Sequence, residues 1–380
     1  MTNLVCEEQI QQQLNRSLPL RQPANHNEAK ADNSYNEMPY LSLPMAQTHP
    51  DRLASVAKLF GMSPAPIASC RVLEIGCGTG GNLIPMAHFL PGSSFTGIDL
   101  AERPIAEGRR LAAELKLANI NLIAMDLCNA GPEMGEFDYI IAHGVYSWVP
   151  DAVRDGLLAV CRDRLSPQGV ALISYNALPG CHVRTIFRNM LLDHTRNTAD
   201  PAERLNQARA LLTKMRDSKL APVSFQPIVE EEIGRMLSSD PNYLFHDDLS
   251  AINDAFYVRD FVARAAGHNL QFVGDAEMHL MFDIRNVLDW VGGDPIEREQ
   301  YFDYFNFRRF RQTILCRREV VLRHPARSEQ MDHFLFSSPA RQLENQIEGA
   351  HNVRIDDPPP VIASIAAASV VKTRAGPEWR

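Results

Sequence analysis

No window of this 380-residue chain holds the unbroken apolar run of about 20 residues that a membrane-spanning helix needs, so a membrane is not an expected partner. Its first residues, "MTNLVCEEQIQQQLNRSLPLRQPANHNEAKADNS", lack the basic start and apolar stretch of a secretory signal, and residues 1–34 are expected to form a disordered leader. Basic runs are missing too. With 38 Lys and Arg against 46 Asp and Glu, the formal net charge is -8, which makes a nucleic-acid backbone an unexpected partner. The seven cysteines (Cys6, Cys70, Cys77, Cys128, Cys161, Cys181, Cys316) are odd in number and form no C-x-x-C pair. That argues against a disulfide framework and a zinc site, and suits a reducing cytoplasm. Nor do the twelve histidines show H-E-x-x-H or a related spacing, so no metal is expected.

What is present is alternation. "HPDRLASVAKLFGM" has its apolar residues at helical spacing and stops at Gly61. The run "RVLEIG" then reads as a buried strand, followed by a glycine-rich turn and the helical "NLIPMAHFL". "SFTGIDL", "INLIAMDL", "FDYIIAHG" and "VALISYN" read as further strands, with "RPIAEGRRLAAELKL" and "PDAVRDGLLAVCRDRL" as helices between them. Apolar strands alternating with helices predict an α/β fold with a doubly wound, mostly parallel sheet, whose ligand lies beyond the carboxyl ends of the strands.

The turn after the first strand, "EIGCGTGGN", admits two cofactors. Gly76, Gly78 and Gly81 fit the dinucleotide spacing G-x-G-x-x-G, and Asp99 stands where a ribose-binding acid is required for either ligand. Three features favour a sulfonium nucleoside. Glu74 would repel a pyrophosphate but can accept hydrogen bonds from an ammonium-bearing methionine moiety. Gly80 completes E-x-G-x-G-x-G. Asp126, ending the third strand, can accept from an adenine amine while Leu127 packs the ring. An acid after a strand is also a common cap or turn residue, and that reading of Asp126 stays open.

Through "VLEIGCGTGGN", "GIDL", "MDL", "FDYIIAHGVYSWV" and "LSPQGVALISYN" the chain resembles the class I S-adenosylmethionine-dependent methyltransferases. The resemblance implies a seven-stranded Rossmann-like methyltransferase sheet and S-adenosyl-L-methionine as cofactor. The loop of Gly76, Gly78 and Gly80 would approach its methionine part, Asp99 its ribose and Asp126 its adenine. Leu100, and His143 at the end of the fourth strand, join Glu74 and Leu127 in that cofactor-binding set.

That fold ordinarily closes with two more strands, the last antiparallel. Here "CHVRTIFRNMLLDHTRN", "PAERLNQARALLTKMRD" and "SFQPIVEEEIGRMLSS" intervene as helices, so residues 181–250 are expected to be a helical insert. "VRDFVARAAGHNLQFVGDAEM" and "FRQTILCRREVVLR" are read as the displaced end of the sheet within residues 251–323, separated by a second insert, "FDIRNVLDWVGGDPIEREQYFDYFNF". Together with "SYNEMPYLSLPMAQTHP", "SYNALPG" and "YLFHDDL", these segments are similar to methyltransferases carrying a methyltransferase regulatory domain, among them bacterial protein-lysine methyltransferases. Members of that group usually continue into a substantial C-terminal domain, whereas residues 324–380 read as a polar, Pro-rich tail. The methyltransferase core is expected over residues 35–180, and residues 181–323 form the regulatory-like region.

Methyl transfer from a sulfonium is an in-line displacement that asks mainly for alignment in a dry pocket. An amine acceptor must also shed a proton, since a lysine titrates near about 10.4 in water. Candidates to line that slot are Tyr35, Tyr40, His143, Tyr146, Trp148, Tyr175 and Asn176, the strand-end positions facing the cleft by topology. The resemblance makes a protein lysine the first acceptor and a small-molecule amine or hydroxyl the second. A non-catalytic cofactor binder and an NAD-dependent oxidoreductase are the competing functions, the latter resting on Gly81. Subunit number, a homodimer included, is not fixed by these residues. "YLFHDDL" is expected to serve as a turn rather than a metal site, and "RRFRQ" as a solvated approach to the last strand.

Overall fold

The computed structural model describes residues 42–281 and 288–324, with the two-residue strands Phe334–Leu335 and Lys372–Thr373. Helix α1 (Pro50–Leu59) precedes β1 (Arg71–Ile75), α2 (Leu83–Phe89), β2 (Ser94–Asp99), α3 (Glu102–Glu114), β3 (Ile120–Ala124) and β4 (Phe137–Ala142). Helix α4 (Asp151–Arg164) leads directly into β5 (Leu165–Ala177). The segment "SPQG" forms an irregularity inside β5: Phe137 pairs with Leu165, yet Tyr139 pairs with Val170.

Strands β1 to β5 are parallel and adjacent in the order β3-β2-β1-β4-β5. The insert follows as α5 (Cys181–His194), α6 (Pro201–Ser218) and α7 (Gln226–Ser238), succeeded by a wide helical turn, Leu244–Asp248. After a two-residue strand β6 (Ala255–Phe256), the chain forms α8 (Val258–Gly267), β7 (Leu270–Asp275), α9 (Pro295–Asn306) and β8 (Phe310–Arg317). β8 runs antiparallel between β5 and β7. The fold is therefore the mostly parallel α/β sheet expected, with β6 added beside the end of β5 through Asn176 and Ala255.

Alternation along the strands divides the core into two layers. Val72, Tyr139, Ile141, Val170, Leu172 and Ile314 pack with Leu53, Val56 and Phe60 of the α1 region and with Leu83 and Met86 of α2. On the opposite face Leu73, Ile75, Ile140, Ile173 and Leu315 pack with Leu157, Leu158 and Cys161 of α4 and with Phe261 and Ala265 of α8. Each such fully buried side chain contributes roughly 1.5–3 kcal/mol. The insert builds its own smaller core from Phe187, Leu191, Leu205, Leu212, Ile233 and Met236.

One expectation fails in the last strand. Arg308 and Arg311 of "RRFRQ" are buried rather than solvated, Arg311 fully. The reason is position: β8 is an interior strand, and α9 brings Glu299 and Asp303 against Arg311 while Asp275 of β7 pairs with Arg308 at 3.0 Å. "YLFHDDL" does take a turn role, with Arg184 donating two 2.7 Å hydrogen bonds to the buried Asp248. Among the described residues no cluster of His, Cys, Asp and Glu has the makings of a metal site, and no helix is long and apolar enough to cross a membrane.

Candidate cofactor site

The site begins where β1 ends. The N–H groups of Gly76 and Cys77 both donate to the Ile98 carbonyl, at 2.8 and 3.2 Å, tethering the loop to β2. Gly76, Gly78 and Gly80 then take φ of +74°, +54° and +75°, backbone states that a Cβ would strain. Gly81 has a different reason: a Cβ there would lie 2.2 Å from the Ser42 carbonyl oxygen. It admits the N-terminal segment, which answers why the dinucleotide-like spacing is present without calling on a dinucleotide.

Two carboxylates converge on this turn. Asp99 accepts from the Gly78 N–H at 2.9 Å through one oxygen and from the Ala101 N–H at 2.8 Å through the other. An ionised carboxylate has further lone pairs, so hydroxyl donors can still be accommodated. Glu74 is buried at 5% exposure; its Oε1 accepts from Asn82 Nδ2 at 2.8 Å, and its Oε2 has no partner among the described residues. Burial pushes the Glu74 carboxyl up to about 8, with the charge of Asp99 adding to the rise and the Asn82 bond opposing it. The Cys77 thiol beneath the loop is likewise held protonated, by burial first and then by Glu74 and Asp99.

A buried acid oxygen lacking a donor, beside a glycine turn and a second acid, is a site short of positive charge or N–H groups. The ammonium of a methionine moiety supplies both, and Asp99 remains open to ribose hydroxyls. The residues present therefore fit a sulfonium nucleoside.

Asp126 caps the turn Leu127–Asn129, its Oδ1 accepting from the Cys128 N–H at 2.9 Å, and is otherwise exposed. Leu127 is buried and Leu100 exposed. The imidazole of His143 lies edge-on to Phe310 with ring centroids 5.7 Å apart, and burial lowers its pKa to about 4, leaving it neutral at physiological pH.

The tyrosines are placed differently from the topological expectation. Tyr175 has no exposure, stacks on Phe261 at 4.2 Å and pairs its hydroxyl with Thr313 Oγ1 at 2.9 Å. Tyr146 is also fully buried, against Phe256 and Phe261, with its hydroxyl unpartnered among the described residues. Both rings thus belong to the core between β5 and α8, because alternate strand-end residues face the helices rather than the cleft. Trp148 is half-buried with its indole N–H unpartnered among the described residues. Asn176 Nδ2 donates to Asn253 Oδ1 at 2.7 Å, tying the end of β5 to the segment before β6. Tyr35 and Tyr40 lie outside the described residues.

Sequence reasoning overlooked Ser42, Thr48 and Asn82, which bind the N-terminal segment to the loop. Their one visible signal was the Asn closing "GTGGN".

Residues 73–171 match the family described as "Methyltransferase domain", and residues 240–317 the one described as "Predicted methyltransferase regulatory domain". An uncharacterized protein of Rickettsia prowazekii is 36% identical over 309 residues, covering 80% of this chain and 56% of that protein. A second uncharacterized protein of the same organism is 34% identical over 233 residues, covering 61% of this chain and 93% of its own length. Among solved structures, PKMT2 from Rickettsia typhi in complex with AdoHcy superposes with a TM-score of 0.73 at 31% identity, over 82% of this chain and 61% of PKMT2. The chain thus spans less than two thirds of the length of the first of these relatives and of PKMT2.

Proposed function

Since the chain belongs to the class I S-adenosylmethionine-dependent methyltransferases that carry a methyltransferase regulatory domain, we propose that it binds S-adenosyl-L-methionine at the glycine turn and transfers the methyl group to an amine, with protein lysine as the acceptor class. The observation that carries the reading is the unpartnered, buried Oε2 of Glu74 beside Gly76 and Asp99. Lysine as acceptor is supported by the resemblance of "SYNALPG" and "YLFHDDL" to bacterial protein-lysine methyltransferases, alongside the likeness to PKMT2.

When bound, the cofactor supplies an electrophilic methyl group on a sulfonium. The chain's own residues hold and align. Glu74 would receive the ammonium, Asp99 the ribose hydroxyls, and the exposed side of Asp126 the adenine amine. Gly76, Gly78 and Gly80 let the backbone approach without a Cβ in the way. Because His143 is neutral, it can accept a hydrogen bond from an incoming amine without repelling an ammonium, but a group titrating at about 4 is a weak base. The acceptor amine therefore gives its proton chiefly to bulk water as it enters the pocket, because desolvation lowers an ammonium pKa, and reaches the methyl group neutral.

Calorimetry with S-adenosylhomocysteine tests the cofactor assignment, and a purified wild-type protein that shows no binding refutes it. Tritiated methyl transfer into a cell lysate, separated into protein and low-mass fractions, tests the acceptor. Label confined to the low-mass fraction would replace lysine with a small-molecule amine or hydroxyl, and binding without any labelling would make this a non-catalytic cofactor binder.

A further inference from the structure

Residues 42–48, ahead of α1, run across the glycine loop. The Gly81 N–H donates to Ser42 Oγ at 3.0 Å, and the Ser42 carbonyl occupies the space that a Cβ on Gly81 would need. Asn82 makes the second attachment. Its Nδ2 donates to Glu74 Oε1 at 2.8 Å and to Thr48 Oγ1 at 2.9 Å, its Oδ1 accepts from the Met45 N–H at 2.9 Å, and the Thr48 hydroxyl donates on to the Met45 carbonyl at 2.8 Å. Asn82 is 5% exposed and Thr48 fully buried.

An Asn immediately before a helix ordinarily caps it, its oxygen taking an N–H of the first turn. Asn82 stands directly before α2, yet its side chain makes no capping bond. The amide is used elsewhere, bridging the N-terminal segment and the cofactor acid.

We propose that Asn82 is a positioning residue that fixes Glu74 and straps residues 42–48 over the glycine turn, so that the strap must lift before the cofactor can enter or leave. This rests on the cofactor reading above and adds how that site is gated. Only an amide of this length does both jobs. Asp at 82 would set a third acid beside Glu74 and Asp99 with nothing to donate, and Leu would take away the donor to Glu74 and the acceptor of the Met45 N–H together, leaving Thr48 only its bond to the Met45 carbonyl.

The surroundings of Glu74 make its ionisation a usable readout. Its strand neighbours in register, Gly97 and Ile141, carry no charge, so the titratable groups around it among the described residues are Asp99 and Cys77. Burial and the charge of Asp99 disfavour the carboxylate, whereas the Asn82 bond favours it, and Cys77, protonated throughout this range, adds no charge. Binding a cation at Glu74 is then strengthened as pH rises towards about 8.

The experiment compares wild type with Thr48→Val, which removes the Asn82–Thr48 bond of the strap and leaves the bond to Glu74, and Asn82→Leu, which removes the bonds to Thr48, Met45 and Glu74; the Gly81–Ser42 bond stays in both. S-adenosylhomocysteine dissociation is followed by stopped flow and its affinity by calorimetry between pH 6 and about 9, a window set by the Glu74 titration. The ligand's own amine titrates identically in every arm, so differences between variants report on the protein. Thr48→Val should speed dissociation about tenfold with the pH midpoint unmoved, and Asn82→Leu should also shift the midpoint upward. Hydrogen exchange at the Met45 amide in ligand-free protein should accelerate in both. Wild-type failure to bind would remove the cofactor reading, whereas a well-folded variant with wild-type dissociation and exchange would overturn the strap even though the cofactor binds. Should Asn82→Leu fail to fold, Thr48→Val decides the strap alone.

Discussion

Arg311 and Asp303 meet in the interior through two parallel hydrogen bonds of 2.8 Å, and neither side chain has any exposure. Glu299 adds a third bond to the same guanidinium, at 2.9 Å. This link joins α9, in the second insert, to the interior strand β8. Replacing Arg311 by Met would leave Asp303 and Glu299 buried and uncompensated. The expected loss in a urea titration is about 3–5 kcal/mol, and replacing the acids together with the arginine should recover much of it.

Stability of the ligand-free protein should depend on Glu74. Its ordinary value of 4.5 is raised to about 8 on folding, so between those values the folded chain holds a proton that the unfolded chain has released. The contribution to stability is full below the unfolded value and is lost as pH rises to about 8. Glu74→Gln should therefore flatten the fall of melting temperature between pH 5 and about 8, gaining up to about 4 kcal/mol at the upper end while binding S-adenosylhomocysteine more weakly. An unchanged slope would show that Glu74 stays ionised in the free protein.

Tyr175→Phe separates a packing tyrosine from a catalytic one. The ring stays on Phe261, and only the bond to Thr313 is lost. Stability should fall by about 1 kcal/mol, with methyl transfer into protein unchanged in the tritium assay. The double change Tyr175→Phe with Thr313→Val should be nearly neutral, because no hydroxyl is then stranded.

Gly108 of α3 is the point where the helix touches the cofactor loop. A Cβ there would sit 2.3 Å from the Thr79 carbonyl and 2.7 Å from Leu122 Cδ1. Gly108→Ala must push the helix or the loop aside. The expected result is a loss of about 1–3 kcal/mol in thermal unfolding, accompanied by weaker S-adenosylhomocysteine binding in calorimetry.

Much of this architecture was legible because it follows from local pattern. The runs beginning at Arg71, Ser94 and Phe137 are strands since apolar residues continue through them, and the helices between them are amphipathic at the helical period. The glycines read correctly as a turn because backbone geometry alone demands them at positions 76, 78 and 80. Tyr146 and Tyr175 were misjudged for the opposite reason. A position near a strand end does not say which face of the sheet the ring takes, and here Phe256 and Phe261, roughly a hundred residues further along, close over both.

The same distinction governs the charges. Nothing around "RRFRQ" or "GTGGN" announces that Arg311 will be fully buried or that Asn82 will forgo its helix cap. A charge enters the interior only when partners arrive with it; Glu299 and Asp303 come from α9 and Asp275 from β7, two elements that only the closed sheet brings together.

The amino-acid order by itself determined the parallel α/β sheet and the glycine turn with Glu74 and Asp99 at its rim, since periodicity and φ requirements act between near neighbours; the antiparallel final strand was implied by the family resemblance. Folding in three dimensions decided the rest: which tyrosines are core, which arginines are buried, and that residues 42–48 lie across the loop. Those outcomes depend on contacts between residues distant along the chain, whose energies come from shared burial and hydrogen bonding and leave no periodic trace in the sequence.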